Sequence, residues 1–282
     1  MPLIHLFRRC NQSCVFCSYP AGAAPGEKAG LKNWIKEISE MKPGLVQISG
    51  GEPLLADLSD LLKVIAFCAG SGRQVELQTN GALLARLEPA RLALLVKALN
   101  RAKGYFNINF SAPNAALDLK ITRTRGAFSA RTKAVRDLLA LGAAVRLTFV
   151  ICSLNYREAA KFAAFAVEKF KGLSWLQFSF IKGIGRAEGS GFIPRYSSAV
   201  PHLMKALDLC GRKGLKCEVD HIPPCFLGPH HGRNVDISKM RSGAAGPHLS
   251  EKEKVPECKG CGFARVCPGP RKDYIAVHGR LK

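Results

Sequence analysis

The sequence is short of acid: 21 Asp and Glu stand against 42 Lys and Arg, a formal net charge of +21 over 282 residues. Such a field favours an anionic partner: nucleic acid, an acidic peptide, a phosphorylated small molecule or an anionic surface. A basic surface with no partner accounts for the count equally well. The cations are scattered with no run of five or more, which excludes a basic tail. Aromatic residues are 8% and are not interleaved with the cations, so the stacking platforms of a single-strand nucleic-acid groove are missing. No apolar run approaches membrane length, since the stretch 159–167 is short and contains Lys161. At the N-terminus MPLIHLFRRC puts its arginines after the apolar run, the wrong order for a signal peptide. No internal repeat or low-complexity tract occurs. The expectation is a cytoplasmic protein with no membrane partner.

Cysteine is what the sequence has in quantity, eleven in all. In a reducing compartment thiols serve metals more often than disulfides. Seven of them form two groups: Cys10, Cys14 and Cys17 in CNQSCVFC, and Cys225 with Cys258, Cys261 and Cys267.

Between these groups, β-rich runs alternate with amphipathic stretches. Strands are predicted over 3–7, 45–48, 74–78, 105–110, 144–151 and 173–180. Helices are predicted over 31–41, 58–69, 89–99, 128–141 and 156–170. Six β-then-α units imply a parallel sheet with helices outside it and an active site at the carboxyl ends of the strands. A Gly-rich loop (182–191), a helix near 197–212 and a short strand near 216–219 follow. From His221 onward Pro, Gly, Cys and His dominate and helical periodicity stops. The expected organisation is a core over 1–185, a linking region over 186–220 and a small irregular extension over 221–282.

The first thiol group sits in a turn-like loop directly after the first strand. Three thiolates suit a cubane iron–sulfur cluster with one iron left open. Zinc, with His5 completing the set, and no metal at all are the competing readings of the spacing.

Cys-x3-Cys-x2-Cys in that position, with aromatic Phe16 before the third cysteine, resembles the signature of the radical S-adenosylmethionine (SAM) superfamily. The second strand runs into Gly50-Gly51-Glu52-Pro53, similar to that family's SAM-binding motif. The third ends in Thr79-Asn80-Gly81, and the fourth leads to Ser111. Ser111, and Arg123 twelve residues on, fall where sulfatase-maturating members contact SAM. The resemblance runs over 3–185. It implies an α/β fold, a partial (β/α)6 TIM-like barrel, with a [4Fe–4S] cluster on Cys10, Cys14 and Cys17 and SAM at its open iron. The implied SAM-binding residues are Phe16, Gly50, Gly51, Glu52, Thr79, Asn80, Ser111 and Arg123. It implies an enzyme in which one electron cleaves SAM to methionine and a 5′-deoxyadenosyl radical, which takes hydrogen from substrate. A reductant such as flavodoxin or ferredoxin would supply the electron. The cofactor performs the hard step while the protein orients it and excludes water.

Four thiolates at the C-terminus could form a structural zinc site. Behind such a core they resemble the auxiliary-cluster extensions called SPASM and twitch domains. Cys258-x2-Cys261-x5-Cys267 matches part of the SPASM motif, whose next cysteine would fall at Arg271. That departure points to one four-cysteine [4Fe–4S] cluster of the twitch kind, closed to substrate. Cys68, Cys152 and Cys210 read as small buried hydrophobes, while Cys217 lies near enough to Cys225 in sequence to replace a ligand. His221, His230 and His231 read as a solvated loop, or as ligands or acid–base groups.

The auxiliary extension favours a peptide or protein side chain as substrate. The chain starts at its first strand, so a separate recognition protein is expected. Small-molecule cofactor or natural-product biosynthesis and RNA modification are the alternatives. A plain iron–sulfur carrier has no use for a SAM pocket.

Overall fold

The computed structural model describes residues 3–19, 30–241 and 247–281. Its elements run β1 (Leu3–His5), α1 (Leu31–Glu40), β2 (Leu45–Ser49), α2 (Leu58–Gly70), β3 (Gln74–Thr79), α3 (Pro89–Arg101) and β4 (Tyr105–Asn109). There follow α4 (Ala115–Thr122), α5 (Ala127–Ala140), β5 (Val145–Ile151), α6 (Ala159–Lys169), β6 (Trp175–Phe180), α7 (Tyr196–Arg212) and β7 (Cys217–Asp220). Three short helices complete the chain: α8 (Val235–Arg241), α9 (Pro247–Ser250) and α10 (Lys272–His278). Local signals set several starts. Asp57 caps α2 by accepting from Ser59 N at 2.7 Å, Asn114 caps α4 by accepting from Leu117 N at 3.0 Å, and Pro89 opens α3.

The sheet is parallel throughout and ordered β1 to β7 in sequence, with its two ends not bonded to each other. The α/β class and barrel-like curl are as expected, but there are seven strands. The short strand placed in a linking region pairs with β6, so it and α7 continue the β/α repeat. A second difference is α4, eight residues between β4 and α5 that the sequence pattern does not announce.

Each strand alternates. Ile4, Val46, Ile48, Val75, Leu77, Phe106, Ile108, Leu147, Phe149, Leu176, Phe178 and Val219 are fully buried; these outward positions pack against the helices. A cluster of rings, Phe110 with Phe128, Phe162, Phe165 and Phe170, fills the gap at α5 and α6 at centroid separations of 5.4 to 6.0 Å. Burial of one such ring is worth about 1.5–3 kcal/mol. The inward positions are polar instead, among them Gln47, Glu76, Asn107, Thr148, Gln177 and Asp220. Most parallel barrels fill this space with branched side chains; here it is a cavity of about 560 Å³.

Glu76, fully buried, ties together five residues that line the cavity. Its carboxylate accepts from Gln47 (2.9 Å), Gln78 (2.8 Å), Tyr105 (2.6 Å) and Asn107 (2.8 Å), and pairs with Arg146. Burial alone would push its pKa up, but Arg146 and these donors outweigh it and hold the carboxyl below its usual value.

The C-terminal region is fastened to the β6–β7 side of the sheet by buried charge. Arg271 pairs with Glu251 at 2.6 Å and Asp273 at 2.5 Å, and Lys252 pairs with Asp236 and lies 4.0 Å from Asp220. Glu251 also reaches Lys182 at 2.9 Å, and Asp273 accepts from Gly183 N at 2.7 Å. Tyr274 stacks on Tyr196 at 3.8 Å. Arg271, found where the sequence resemblance would have put a further cysteine, is thus an anchor.

Candidate functional site

The loop after β1 is shaped by backbone bonds to α4. Ser13 N donates to Thr122 O at 3.1 Å and Val15 N to Ile121 O at 2.9 Å, while Cys17 N turns back to Cys14 O at 3.2 Å. Val15 and Phe16 are buried beneath it. On this frame Cys10 is exposed and Cys14 and Cys17 are half-buried. The thiols are close enough to feel one another. Burial pushes Cys14 up to about 12; Arg131 opposes this, while Cys10 and Cys17 add to it. Cys10 is raised by burial, with smaller contributions including the charges of Glu52 and Cys17.

Gly51 lies against the start of this loop. A Cβ there would stand 1.9 Å from Arg9 O and 2.4 Å from Arg8 O, and one on Gly50 would stand 2.3 Å from Phe7 O. The close approach that demands glycine here is therefore that of the chain's own backbone. Gly185, at φ 65°, meets the other end of the loop, where a Cβ would stand 2.4 Å from Cys17 O.

Glu52 is fully buried and clasps two loops. One carboxylate oxygen accepts from Leu54 N (3.1 Å) and Thr79 Oγ1 (2.7 Å), the other from Asn80 N (2.7 Å). Burial raises its pKa, and these three donors oppose the rise. Asn80 extends the clasp by donating to Asn11 Oδ1 at 2.7 Å and lying 3.8 Å from Cys10 Sγ. The segments after β1, β2 and β3 thus form one hydrogen-bonded unit around the first thiol.

Two residues absent from the sequence reading complete it. Arg131, wholly buried on α5, donates to Asn80 O at 2.8 Å, pairs with Asp118 of α4 at 2.5 Å and lies over Phe110 at 4.9 Å. The signal was an arginine in register with Ala127, Ala134, Val135 and Leu138 on the apolar stripe of a helix.

Ser111 is buried, accepting from Val150 N at 3.0 Å and facing Asn109 Oδ1 at 3.4 Å, so its hydroxyl links β4 to β5. Arg123 caps α4 in the left-handed region (φ 54°) and is exposed, its guanidinium making no hydrogen bond or ion pair to the described residues. Neither lines the cavity. Phe16, Cys17 and Gly50 do, together with Ser49, Asn109 and Ser179 at the strand ends.

The four C-terminal thiols come together: Cys225, Cys258, Cys261 and Cys267 line one small cavity with Lys254 and Leu281. Burial pushes Cys225 up to about 11, with Cys261, Cys267 and Cys258 adding to it. Among the described residues no three His, Cys, Asp or Glu donors are gathered as they would be around a single metal ion. Cys217 stands apart, hydrogen-bonded to Cys210 and accepting from Arg233 at 2.9 Å. Of the histidines, His221 is buried, His230 pairs with Asp208 at 2.8 Å and His231 meets Gly228 O at 2.9 Å.

The model of the Radical SAM superfamily matches residues 4–166. Among curated proteins, a 7-carboxy-7-deazaguanine synthase of Hyperthermus butylicus is 38% identical over 84 residues, 29% of this chain and 34% of that protein. The chain thus matches about a third of that relative's length. Mycofactocin maturase MftC of Mycolicibacterium smegmatis is 22% identical over 92% of this chain and 74% of its own. The fold is shared with SuiB of Streptococcus suis bound to S-adenosylmethionine (TM-score 0.68, 13% identity, 98% of this chain and 73% of that one). It is shared equally with anSMEcpe bound to AdoMet and the Kp18Cys peptide (TM-score 0.68, 16% identity, 97% and 90%).

Proposed function

This chain belongs to the radical SAM superfamily, and from that premise we propose that it modifies a side chain of a peptide or protein. Enzymes of this family use SAM and a [4Fe–4S] cluster, which supply a 5′-deoxyadenosyl radical able to take hydrogen from an unactivated carbon. In our reading Cys10, Cys14 and Cys17 hold that cluster. Phe16, Gly50, Gly51, Glu52, Thr79 and Asn80 shape the SAM site, with Ser111 behind it and Arg123 offering its charge to the SAM carboxylate. Glu52 does not touch the chemistry; it fixes the segments that do. Cys225, Cys258, Cys261 and Cys267, which line one cavity, hold a second, closed cluster in the same reading.

The observation that carries the substrate reading is the cavity wall. Ser49, Gln78, Asn109, Gln177 and Ser179 present neutral amides and hydroxyls beside Phe16 and Cys17. Such groups match peptide N–H and C=O partners. The cavity lies within the range of small-ligand sites, so a macromolecule would enter by one residue at a time. Support also comes from the extent of similarity. The peptide-bound anSMEcpe fold covers 97% of the chain, whereas the sequence match to the deazaguanine synthase covers 29% of it.

The test is anaerobic reconstitution with SAM and dithionite, followed by a substrate panel. Short peptides, including any encoded beside this chain, should raise 5′-deoxyadenosine formation and change in mass. Stimulation by GTP or a pterin instead would move the substrate to the small-molecule class. Stimulation by tRNA near physiological salt would move it to RNA.

A further inference from the structure

Cys10 and Cys14 share the first thiol loop, yet their sulfurs are reached by different groups. Cys10 Sγ accepts from Gln12 N at 3.4 Å and lies 3.8 Å from Asn80 Nδ2. Cys14 Sγ accepts from no described residue, and its thiol instead donates to Gln12 Oε1 at 3.5 Å. Gln12 is itself only 6% exposed, and its amide Nε2 is buried with no partner among the described residues. A buried N–H without an acceptor costs about 1–3 kcal/mol. A folded protein carries such an orphan where a functional partner, a water or an ion supplies the acceptor. Arg131 and Asp118 also lie within electrostatic reach of Cys14, and each has a buried atom without a partner, Nη2 and Oδ2. Those two are fixed by pairing with each other through Nη1 and Oδ1 at 2.5 Å. The Gln12 amide, by contrast, turns about a single bond.

The orientation of that amide serves a thiol that has a proton to give. A sulfur bound to iron has none, and a carbonyl oxygen facing it would set lone pair against lone pair. Turning the amide about its last side-chain bond exchanges Oε1 for Nε2 and puts a donor where the acceptor stood. We infer that in the cluster-loaded protein Gln12 Nε2 donates to the Cys14 sulfur and raises the potential at which the cluster is reduced. The inference rests on the assignment of Cys14 to the [4Fe–4S] cluster in the proposed function. Hydrogen bonds to cluster sulfurs raise the potential because they favour the more negative, reduced form. A bond to an anionic sulfur is also stronger than one between neutral groups. Gln12 touches no substrate in this arrangement; it acts through Cys14.

The experiment is a redox titration of the reconstituted holoenzyme followed by electron paramagnetic resonance. The first cluster's signal is the one that changes when SAM is added. Gln12→Met keeps the length of the side chain and removes the donor, and Gln12→Glu puts a carboxylate in its place. In Gln12→Met the reduction equilibrium of that signal should shift about 10-fold toward the oxidised form, a potential about 59 mV lower for one electron. Gln12→Glu should lower it further, because a negative charge then faces the same sulfur. The signal that ignores SAM should not move, and iron should stay at about eight per chain. An unchanged potential in both variants at full iron would overturn the inference and leave the cluster assignment standing. Lowered stability in urea at unchanged potential would give Nε2 to Asp118 or to a water, and would overturn it equally. Should the variants load iron poorly, the wild type decides. Glutamine labelled with 15N at its amide should couple to the SAM-responsive signal in electron–nuclear double resonance, and the absence of that coupling overturns the bond. If no signal in the wild type responds to SAM, the cluster assignment falls and the inference with it.

Discussion

The two thiol constellations are assembled in opposite ways. The first spans CNQSCVFC, and its shape comes from backbone bonds to α4 and from the Glu52 clasp beside it. The second draws its four thiols from segments that begin at Cys225 and end at Cys267, and buried ion pairs around Arg271 and Lys252 hold those segments in place. Three donors leave an iron open and four do not. In the proposed function the contiguous, open site carries the reaction and the dispersed, closed one supports it.

The largest effect that would break this contrast is on SAM cleavage. Cys14→Ala should abolish 5′-deoxyadenosine formation and lower iron from about eight per chain to about four. Cys261→Ala should lose a similar amount of iron and still cleave SAM slowly. Equal loss of cleavage in both, with the fold intact by circular dichroism, would mean that the second site is also reactive.

Next comes Arg131→Met, which strands Asp118 as a buried carboxylate. Stability should fall by about 3–5 kcal/mol, read from urea unfolding. No variant of an exposed pair such as Lys63–Asp60 should exceed about 1 kcal/mol.

A smaller effect separates the regions by pH. Burial holds His221 well below its ordinary pKa, so the folded protein keeps it neutral while the unfolded chain binds a proton. Its contribution is complete above the unfolded pKa near 6.5 and is lost as pH falls below it, by up to about 1.4 kcal/mol per pH unit. His221→Asn, which tolerates the positive φ of 65°, should flatten the acid limb of the stability profile. His5, lowered by burial and by Arg8, acts in the same direction and would keep a residual slope.

The smallest effect is a control. Cys68→Ala and Cys152→Ala should leave iron at about eight and cost about 1 kcal/mol each through lost packing. Loss of iron from either would redraw the ligand sets.

Much of this was legible because it is local. Strand and helix runs of β2 to α3 lie within two residues of the sequence pattern, and the first thiol loop is a contiguous string. The Glu52 to Thr79 and Asn80 contacts follow from strands ending side by side, which period and order predict. The Arg131–Asp118 pair did not surface, because nothing in one sequence says which buried charge meets which across two helices. β7 was visible as a strand but not as a sheet member, being four residues long and separated from β6 by the Gly-rich loop and α7. The polar cavity was missed for a different reason. Gln47, Asn107, Thr148 and Gln177 alternate with apolar neighbours in strands that read simply as β-rich, so the second face was there to be seen.

Lys182 lines the cavity, and its ammonium is tied to Glu251; the next residue, Gly183, donates to Asp273. Both carboxylates belong to the C-terminal region, so this edge of the cavity is held from a part of the chain outside the sheet. A chamber is only as permanent as its least stable wall. Opening of the 251–273 segment would free Lys182 and Gly183 and let water into the cavity that the proposed function assigns to the reaction, with no bond in the sheet itself disturbed. Under the proposed function, that segment rather than the barrel would limit how long the cavity stays dry.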